Sequence, residues 1–561
     1  MKNAVSDRID YIESSDGEDA GDEEEQGKVS ADGNDDESDG SDSSSADSPR
    51  RSRPSSYSTT WPQSYRQSID IYSSVTPPTI GFLGTPTLSR LGSSFLANSF
   101  RGRHTPDAIS SLLKPFFPTP PAEEEQQQRK SSHTLLPPQI PTRRASHRKA
   151  REEHRLSKAS SGDLPATARH CSYAQSVFNG VNVLCGVGML SAPYSIKEGG
   201  WLGLFILIIF GVLAFYTGIL LRRCLESEPG LETYPDIGQA AFGPYGRIIV
   251  SIILYLELYA CCVEYIILDS DNLSSLFPNA HLDIAGIHLN AHLLFGVLIT
   301  LIVLPSTWVR DFSMISYISA GGVIASVLVV ACLFWLGLVD NIGYKNEGSL
   351  INLSGISIAI GLYGYSYSGH AVFPNIYSSL KKKSEFPAVL FTSFAISTLL
   401  FAGVAVMGSM LFGDATQSQF TLNMPHEFVV SKIAVWTTVV NPITKYSLTL
   451  APMALSLEEL IPKDQQKSHW YSIVIRTALT ISTLLVAMSV PFFGLVMALV
   501  GSSLTMLLAL ILPCICFLSI ARRKATWPEV CICALILLVG VISSALGTSS
   551  AVSKIADSLN S

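Results

Sequence analysis

The chain has few charged residues for its length: 15% of its 561 residues are Asp, Glu, Lys or Arg, whereas 47% are hydrophobic. Soluble globular proteins carry about 25% charged residues. The shortage is greatest after residue 170, where 18 Lys and Arg and 21 Asp and Glu remain. This composition excludes a series of ordinary soluble domains and predicts a membrane region.

Cysteine is absent from residues 1–170, and none of the ten cysteines lies in a long loop that would face an oxidising compartment. We therefore expect no disulfide framework. Cys514 with Cys516, and Cys531 with Cys533, lack the spacing and the partner histidines of a zinc site. No nucleophile, base and orienting group recur at a recognisable spacing, which argues against an enzyme. We expect no metal, no cofactor and no nucleic-acid partner.

The first 170 residues form a region of distinct composition. Residues 13–47 are acidic and Ser-rich, and residues 50–169 are basic and rich in Pro and Ser. Such a sequence cannot bury enough apolar surface to offset chain entropy, so we expect residues 1–170 to be a disordered cytosolic tail. Its start lacks the pattern of a signal peptide, so we expect the first membrane helix to direct insertion. Ser48 and Ser146 stand in contexts that kinases phosphorylate, which makes kinases candidate partners.

Apolar runs of about 20 residues recur through residues 171–561, each near the length that crosses about 30 Å of hydrocarbon. We count eleven, which predicts an all-α membrane domain with 11 transmembrane helices surrounded by lipid. The predicted spans are residues 173–196, 202–221, 248–268, 292–305, 315–339, 356–377, 387–412, 428–457, 471–490, 492–520 and 527–551.

Basic residues are concentrated in every second loop. Lys and Arg beside a span stay preferentially in the cytosol. They follow the second, fourth, sixth, eighth and tenth spans: Arg222, Arg223, Arg247, Arg310, Lys381, Lys382, Lys383, Lys463, Lys467, Arg522, Arg523 and Lys524. This alternation predicts a cytosolic N-terminus and, with eleven spans, a C-terminus on the far side. The glycosylation sequons that begin at Asn272 and Asn352 both fall on that far side.

The first span contains Gly186, Gly188 and Pro193. These residues predict an interruption of the helix, which a membrane tolerates only where the backbone lines a cavity or is buried in protein. Amides freed there would bind a carboxylate, with the positive end of the next half-helix directed at it. The candidate substrate contacts are Asn182, Gly186, Val187, Gly188 and Met189. The alternative is that the glycines only allow close helix packing.

The sixth span has the same character, because residues 361–370 read GLYGYSYSGH and Pro374 follows. Here Tyr363, Ser366 and Ser368 are candidate substrate contacts, and freed carbonyls would receive an ammonium group. The alternative is that the tyrosines only pack. Two broken helices five spans apart indicate a carrier built from inverted repeats, with the substrate between the breaks.

Ionisable residues within spans are costly and therefore mark candidate sites. Glu257 and Glu264 lie on one face of the third span, and Glu257 is near its middle. We consider Glu257 as a proton carrier or, alternatively, as a structural hydrogen-bonding group. His370 is a second candidate for proton coupling, with the same structural alternative. Thr437, Asn441 and Lys445 add polar groups to the eighth span, where Lys445 either pairs with a carboxylate or reaches the cytosolic edge.

Two stretches resemble the amino acid/auxin permease family: residues 179–194, NGVNVLCGVGMLSAPY, followed by KEGGW at 197–201, and residues 367–377, YSGHAVFPNIY. The similarity is to the plant vacuolar amino-acid transporters of the first subfamily, which are related to vesicular inhibitory amino-acid carriers. It covers residue 171 to the C-terminus. The resemblance implies a LeuT-type 5+5 inverted repeat plus one helix, and proton-coupled transport of neutral amino acids. Relatives with sodium coupling use polar residues on spans one and eight, an option that Thr437, Thr438 and Asn441 leave open.

The sequence thus predicts a secondary carrier that exchanges protons for neutral amino acids across the vacuolar membrane. The alternatives are a proton symporter at the vacuole or plasma membrane, and an amino-acid sensor that signals through its N-terminal tail.

Overall fold

The computed structural model describes residues 61–62, 65, 171–284, 287–309, 313–345, 348–462, 469–522 and 524–560. The prediction of a disordered tail over residues 1–170 therefore lies outside the described residues, apart from Trp61, Pro62 and Tyr65. Ser48 and Ser146 also lie outside them, as do the basic residues Arg310, Lys463, Lys467 and Arg523.

The described part of the chain is mostly α-helical. In chain order the helices are α1 Tyr173–Leu184, α2 Ala192–Gly199, α3 Gly203–Leu225, α4 Tyr234–Leu276, α5 Ala291–Trp308, α6 Ser313–Leu338, α7 Ile356–Ser366, α8 Phe373–Ser379, α9 Phe386–Phe412, α10 Val429–Glu458, α11 His469–Ser489, α12 Phe493–Val500, α13 Leu512–Ala521 and α14 Trp527–Asn560. Short 3₁₀ turns span Val187–Ser191, Lys383–Glu385, Gly413–Ala415 and Phe420–Asn423, and π-helical turns Gly501–Thr505 and Leu507–Ile511 join α12 to α13.

The membrane character of these helices is clear. Among the described residues, seven helices are long and apolar enough to cross a membrane, and the bent pair α1–α2 makes an eighth. Helices α6, α7 with α8, and α10 coincide with the predicted fifth, sixth and eighth spans, but they are not among those that meet this criterion. A multi-pass helical membrane protein is therefore confirmed, whereas eleven spans and a LeuT-type repeat stay predictions.

Helix α4 is longer than the predicted third span. It begins with a capping box, in which Thr233 accepts a hydrogen bond from the Asp236 amide and the Asp236 side chain accepts one from the Thr233 amide. Gly243 has a φ of +71°, which favours glycine, and Pro244 follows it. Because proline has no amide proton to continue the ladder, these two residues divide α4 into a short first segment and a long membrane segment.

A small sheet departs from the all-α prediction. Strand β1, Leu282–Ile284, pairs antiparallel with β2, Ile287–Leu289, between α4 and α5. Strands of three residues are too short to leave a recognisable alternation of polar and apolar residues.

In one of the two predicted glycosylation sequons, the asparagine side chain is buried and hydrogen-bonded within the protein. Asn272 is fully buried, and its side-chain nitrogen donates to the Leu268 carbonyl at 2.8 Å and to Gln419 Oε1 at 2.5 Å. Its side-chain oxygen accepts a hydrogen bond from Thr421 Oγ1 at 2.8 Å. A folded chain therefore cannot present Asn272 to a glycosylating enzyme, whereas Asn352 is partly exposed.

Close packing near the centre depends on glycine. A Cβ atom at Gly501 would overlap the carbonyl oxygen of Gly361, and one at Gly361 would overlap the carbonyl oxygen of Ala498. Helix α7 therefore lies directly against the junction of α12 and the π-helical turns. On the outside, apolar side chains such as Phe205 and Leu399 are 64% and 74% exposed, as expected for a surface that faces lipid.

Candidate functional site

The predicted interruption of the first span is present. Helix α1 ends at Leu184, and Gly186 leaves the helical conformation with φ −95° and ψ −141°. The segments Tyr173–Leu184 and Val187–Gly199 are bent by 51°. Pro193 lies in the first turn of α2, where its missing amide proton is not needed. The carbonyl of Cys185, freed by the break, accepts a hydrogen bond from Ser326 Oγ on α6 at 3.2 Å.

The sixth span is interrupted in the same way. Helix α7 ends at Ser366, a short non-helical stretch follows, and α8 begins at Phe373 with Pro374 in its first turn. The two breaks touch, because a Cβ atom on Gly188 would lie 3.2 Å from the Cα atom of Ser366. Glycine at position 188 therefore permits the two irregular segments to approach each other.

A cavity of about 70 Å³ lies between the two breaks, α4 and α10. It has room for several water molecules. Seven predicted site residues line it: Asn182, Gly186, Val187, Gly188, Glu257, Ser368 and Lys445. The fold therefore places predicted residues from four different spans around one cavity.

Glu257 connects three spans at this cavity. Its side chain is 4% exposed, and Oε1 accepts hydrogen bonds from Ser368 Oγ at 2.8 Å and from Thr505 Oγ1 at 3.0 Å. Ser368 belongs to the break in the sixth span and Thr505 to the π-helical turn after α12. The carboxylate of Glu257 is thus held by neutral hydroxyl groups, with no ion pair among the described residues.

Lys445 supplies the opposite charge on the cavity wall. The residue is 8% exposed, and Gly322 on α6 provides the space for it: a Cβ there would lie 3.1 Å from Lys445 Nζ and 2.9 Å from Asn441 Oδ1. Within the described part of the chain, no carboxylate forms an ion pair with Lys445. Lys445 is therefore buried on the cavity wall and, among the described residues, has no acidic partner; the sequence left open a carboxylate pair or an extension to the cytosolic edge.

Three further predicted residues line neighbouring spaces. Met189, Thr437 and Asn441 line a small cavity of about 20 Å³ that shares Gly186 and Val187 with the larger one. Thr437 and Asn441 also border a hollow of about 350 Å³ along α6 and α10. The polar residues of the eighth span therefore continue from the cavity wall towards the outside of the molecule.

Three other predicted residues point away from the cavity. His370 Nε2 lies 2.9 Å from Thr217 Oγ1 and 3.2 Å from the Ala214 carbonyl, both on α3. Tyr363 packs its hydroxyl end against Gly203, at the start of α3. Ser366 donates to the carbonyl of Leu362 within its own helix, at 3.0 Å.

Several residues at or beside the cavity were not predicted from the sequence. Thr505 holds Glu257, and Cys261 and Tyr365 line the cavity, with the Cys261 Sγ atom 3.6 Å from the Tyr365 hydroxyl. The available signal for Thr505 was the run GSSLT at 501–505, a small polar segment inside an apolar span. In the structure it forms a π-helical turn, a feature that often marks functional sites.

Comparison with known proteins agrees with the family predicted from the sequence. Residues 169–553 match the family described as transmembrane amino acid transporter protein. The chain is 59% identical over 560 residues to amino acid transporter AVT1C of Arabidopsis thaliana, with 100% of both chains covered. It is 55% identical over 562 residues to AVT1B of the same plant, again with 100% of both covered. A more distant relative, amino acid transporter AVT3A, is 26% identical over 386 residues, which are 66% of this chain and 87% of that protein.

Proposed function

We propose that this chain, which belongs to the transmembrane amino acid transporter family, exchanges protons for neutral amino acids across the vacuolar membrane. Its partners in this function are the amino acid, protons and the surrounding lipid. The vacuolar location rests on the sequence resemblance to plant vacuolar transporters described above.

One observation supports the substrate class most strongly: the cavity wall carries both a carboxylate and an ammonium group that do not neutralise each other in an ion pair. A neutral amino acid is a zwitterion with the complementary pair of charges. Its carboxylate fits Lys445 beside the first-span break, and its ammonium fits Glu257 and the carbonyls of the sixth-span break. The cavity between these groups is small, which favours a compact substrate.

Glu257 is also the group best placed to couple protons to this movement. It is buried in a membrane helix and hydrogen-bonded to the sixth span and to the π-helical turn beyond α12. A change in its protonation would alter contacts between three spans at once, which is what a coupling group has to do. His370 is less suitable because its contacts lie on α3.

Protons are favoured over sodium by the position of Lys445. Its ammonium group lies beside Asn441 and Gly322, next to the polar residues of the eighth span. A second cation bound there would be repelled by this charge in a medium of low dielectric constant.

The test is uptake of a labelled neutral amino acid into proteoliposomes, with and without a pH gradient and without sodium. We expect gradient-driven accumulation that an uncoupler abolishes. Glu257→Gln should lose the gradient-driven part, while exchange of labelled for unlabelled amino acid continues with a higher KM, because glutamine keeps an acceptor oxygen for the ammonium but loses the charge. Glu264→Gln is the matched control, because Glu264 is equally buried on α4 but does not line the cavity.

Full gradient-driven uptake by Glu257→Gln would exclude this carboxylate as the coupling group. Accumulation along the gradient in the opposite sense would favour the symport alternative. Binding of amino acids without any uptake would favour the sensor.

A further inference from the structure

Trp61, Pro62 and Tyr65 precede the membrane region by more than one hundred residues, yet they lie against it. Tyr65 is 1% exposed, and it belongs to the same buried cluster as the residues of the membrane core. These three residues, called the segment below, thus lie among the membrane helices. Nothing in the transport mechanism above uses it.

The contacts of this segment are specific. The Trp61 indole Nε1 donates a hydrogen bond to the carbonyl of Ser456 on α10 at 2.9 Å. The rings of Trp61 and Tyr65 both pack edge-to-face on Tyr255 of α4, with centroids 6.0 Å apart in each case. Such aromatic pairs contribute beyond the apolar area that they bury.

Arg247 fixes the backbone between the two rings. Its Nη2 atom donates to the carbonyl of Pro62 at 2.9 Å, and its Nη1 atom binds the carboxylate of Asp236. Arg247 is itself 6% exposed. Because its position is fixed by Asp236 at the start of α4, it provides a rigid anchor for the segment.

The segment lies next to the substrate cavity. Tyr255, which contacts both rings, is two residues before Glu257 on α4. The Tyr65 hydroxyl lies 3.5 Å from the carbonyl of Ala371, a residue of the sixth-span break that lines the cavity. Arg247 belongs to the end of the molecule with the basic loops, so the segment occupies the space between the cavity and that end.

We propose that Trp61, Pro62 and Tyr65 act as an intramolecular ligand that closes the cytosolic end of the substrate pathway. It joins α4, α10 and the sixth-span break, and these elements must move apart for the cavity to open towards the cytosol in an alternating-access cycle. Because the segment is tethered to the domain that it blocks, its effective concentration is high and modest affinity suffices. Only the consequence of this closure, a lower rate of cytosolic opening, rests on the proposed transport function.

The experiment measures access to Cys261, which lines the cavity. The full chain in detergent-free lipid discs is treated with a small thiol reagent, and modification of Cys261 is followed by mass spectrometry. We expect the double variant Trp61→Ala, Tyr65→Ala to react several-fold faster than the natural protein. The matched control, Tyr57→Ala with Tyr72→Ala, removes two tyrosines of the same N-terminal region and should react at the natural rate.

A synthetic peptide of residues 55–70, added to the double variant, should slow the reaction again, whereas a scrambled peptide should not. A deletion of residues 1–70 serves as a second variant and should behave as the double variant does. Equal reaction rates in the natural protein, the double variant and the deletion would overturn the proposal.

Transport is measured on the same variants reconstituted into proteoliposomes, and the initial uptake rate should rise with Cys261 access. Faster Cys261 modification without any uptake would contradict the transport proposal and leave the closure by Trp61 and Tyr65 standing. Unchanged Cys261 modification with normal uptake would contradict the closure by Trp61 and Tyr65 and leave the transport proposal standing.

Discussion

The two charged side chains on the cavity wall have unequal surroundings. Glu257 is satisfied by the hydroxyl groups of Ser368 and Thr505, whereas no described residue forms an ion pair with Lys445. An unpaired ammonium in a buried cavity is unfavourable unless another group neutralises it. The substrate carboxylate is the group that would do so during each cycle.

Lys445→Met should therefore weaken substrate binding. Loss of a hydrogen bond to a charged group costs about 1.5–3 kcal/mol, so we expect the apparent KM for a neutral amino acid to rise about tenfold or more. Lys432→Met on the same helix is the control, because Lys432 is exposed. An amino-acid amide, which lacks the carboxylate, should compete equally well in Lys445→Met and in the natural protein. An unchanged KM in Lys445→Met would show that Lys445 does not bind the substrate.

At the scale of helices, glycine and proline made both breaks predictable. Gly186, Gly188 and Pro193 in the first span, and the glycines before Pro374 in the sixth, are unfavourable in a continuous helix whatever surrounds them. The direction of each side chain at a break was not predictable, because it depends on the neighbouring helix. His370 and Ser368 are two residues apart in the sequence, yet His370 faces α3 while Ser368 faces Glu257.

The contact between Gly361 and Gly501 provides a test of the helix packing. A methyl group at Gly501 would overlap the carbonyl oxygen of Gly361, a backbone atom that cannot move alone. We expect Gly501→Ala to destabilise the protein by about 1–3 kcal/mol, measured as a lower Tm in detergent. Gly403→Ala is the control, since its nearest neighbour would be the Phe334 ring at 3.4 Å. Equal Tm values for the two variants would mean that α7 and the π-helical turns are less closely packed.

For the whole molecule, the apolar runs predicted a helical membrane protein correctly, but length and composition alone did not establish every span. Helix α10 carries Asn441, Lys445 and two internal prolines, Pro442 and Pro452. These polar residues and prolines lower the mean hydropathy of the helix. A span that carries such residues is for this reason harder to recognise from composition than a uniformly apolar one such as α3.

The predicted orientation can be tested on sealed vacuoles. Protease added from the cytosolic side should digest an epitope within residues 1–50 and leave an epitope after Ser561 intact until detergent is added. This result is expected from the basic loops and an odd number of spans. Digestion of both epitopes without detergent would contradict eleven spans.

In the proposed mechanism, one cavity couples the movement of an amino acid to that of a proton. Its most direct test is the internal pH of proteoliposomes loaded with a pH-sensitive dye, recorded as a neutral amino acid is added without sodium. We predict proton movement that begins only with the amino acid, that opposes its direction, and that is lost in Glu257→Gln. Uptake of the amino acid with no accompanying proton movement would contradict the account.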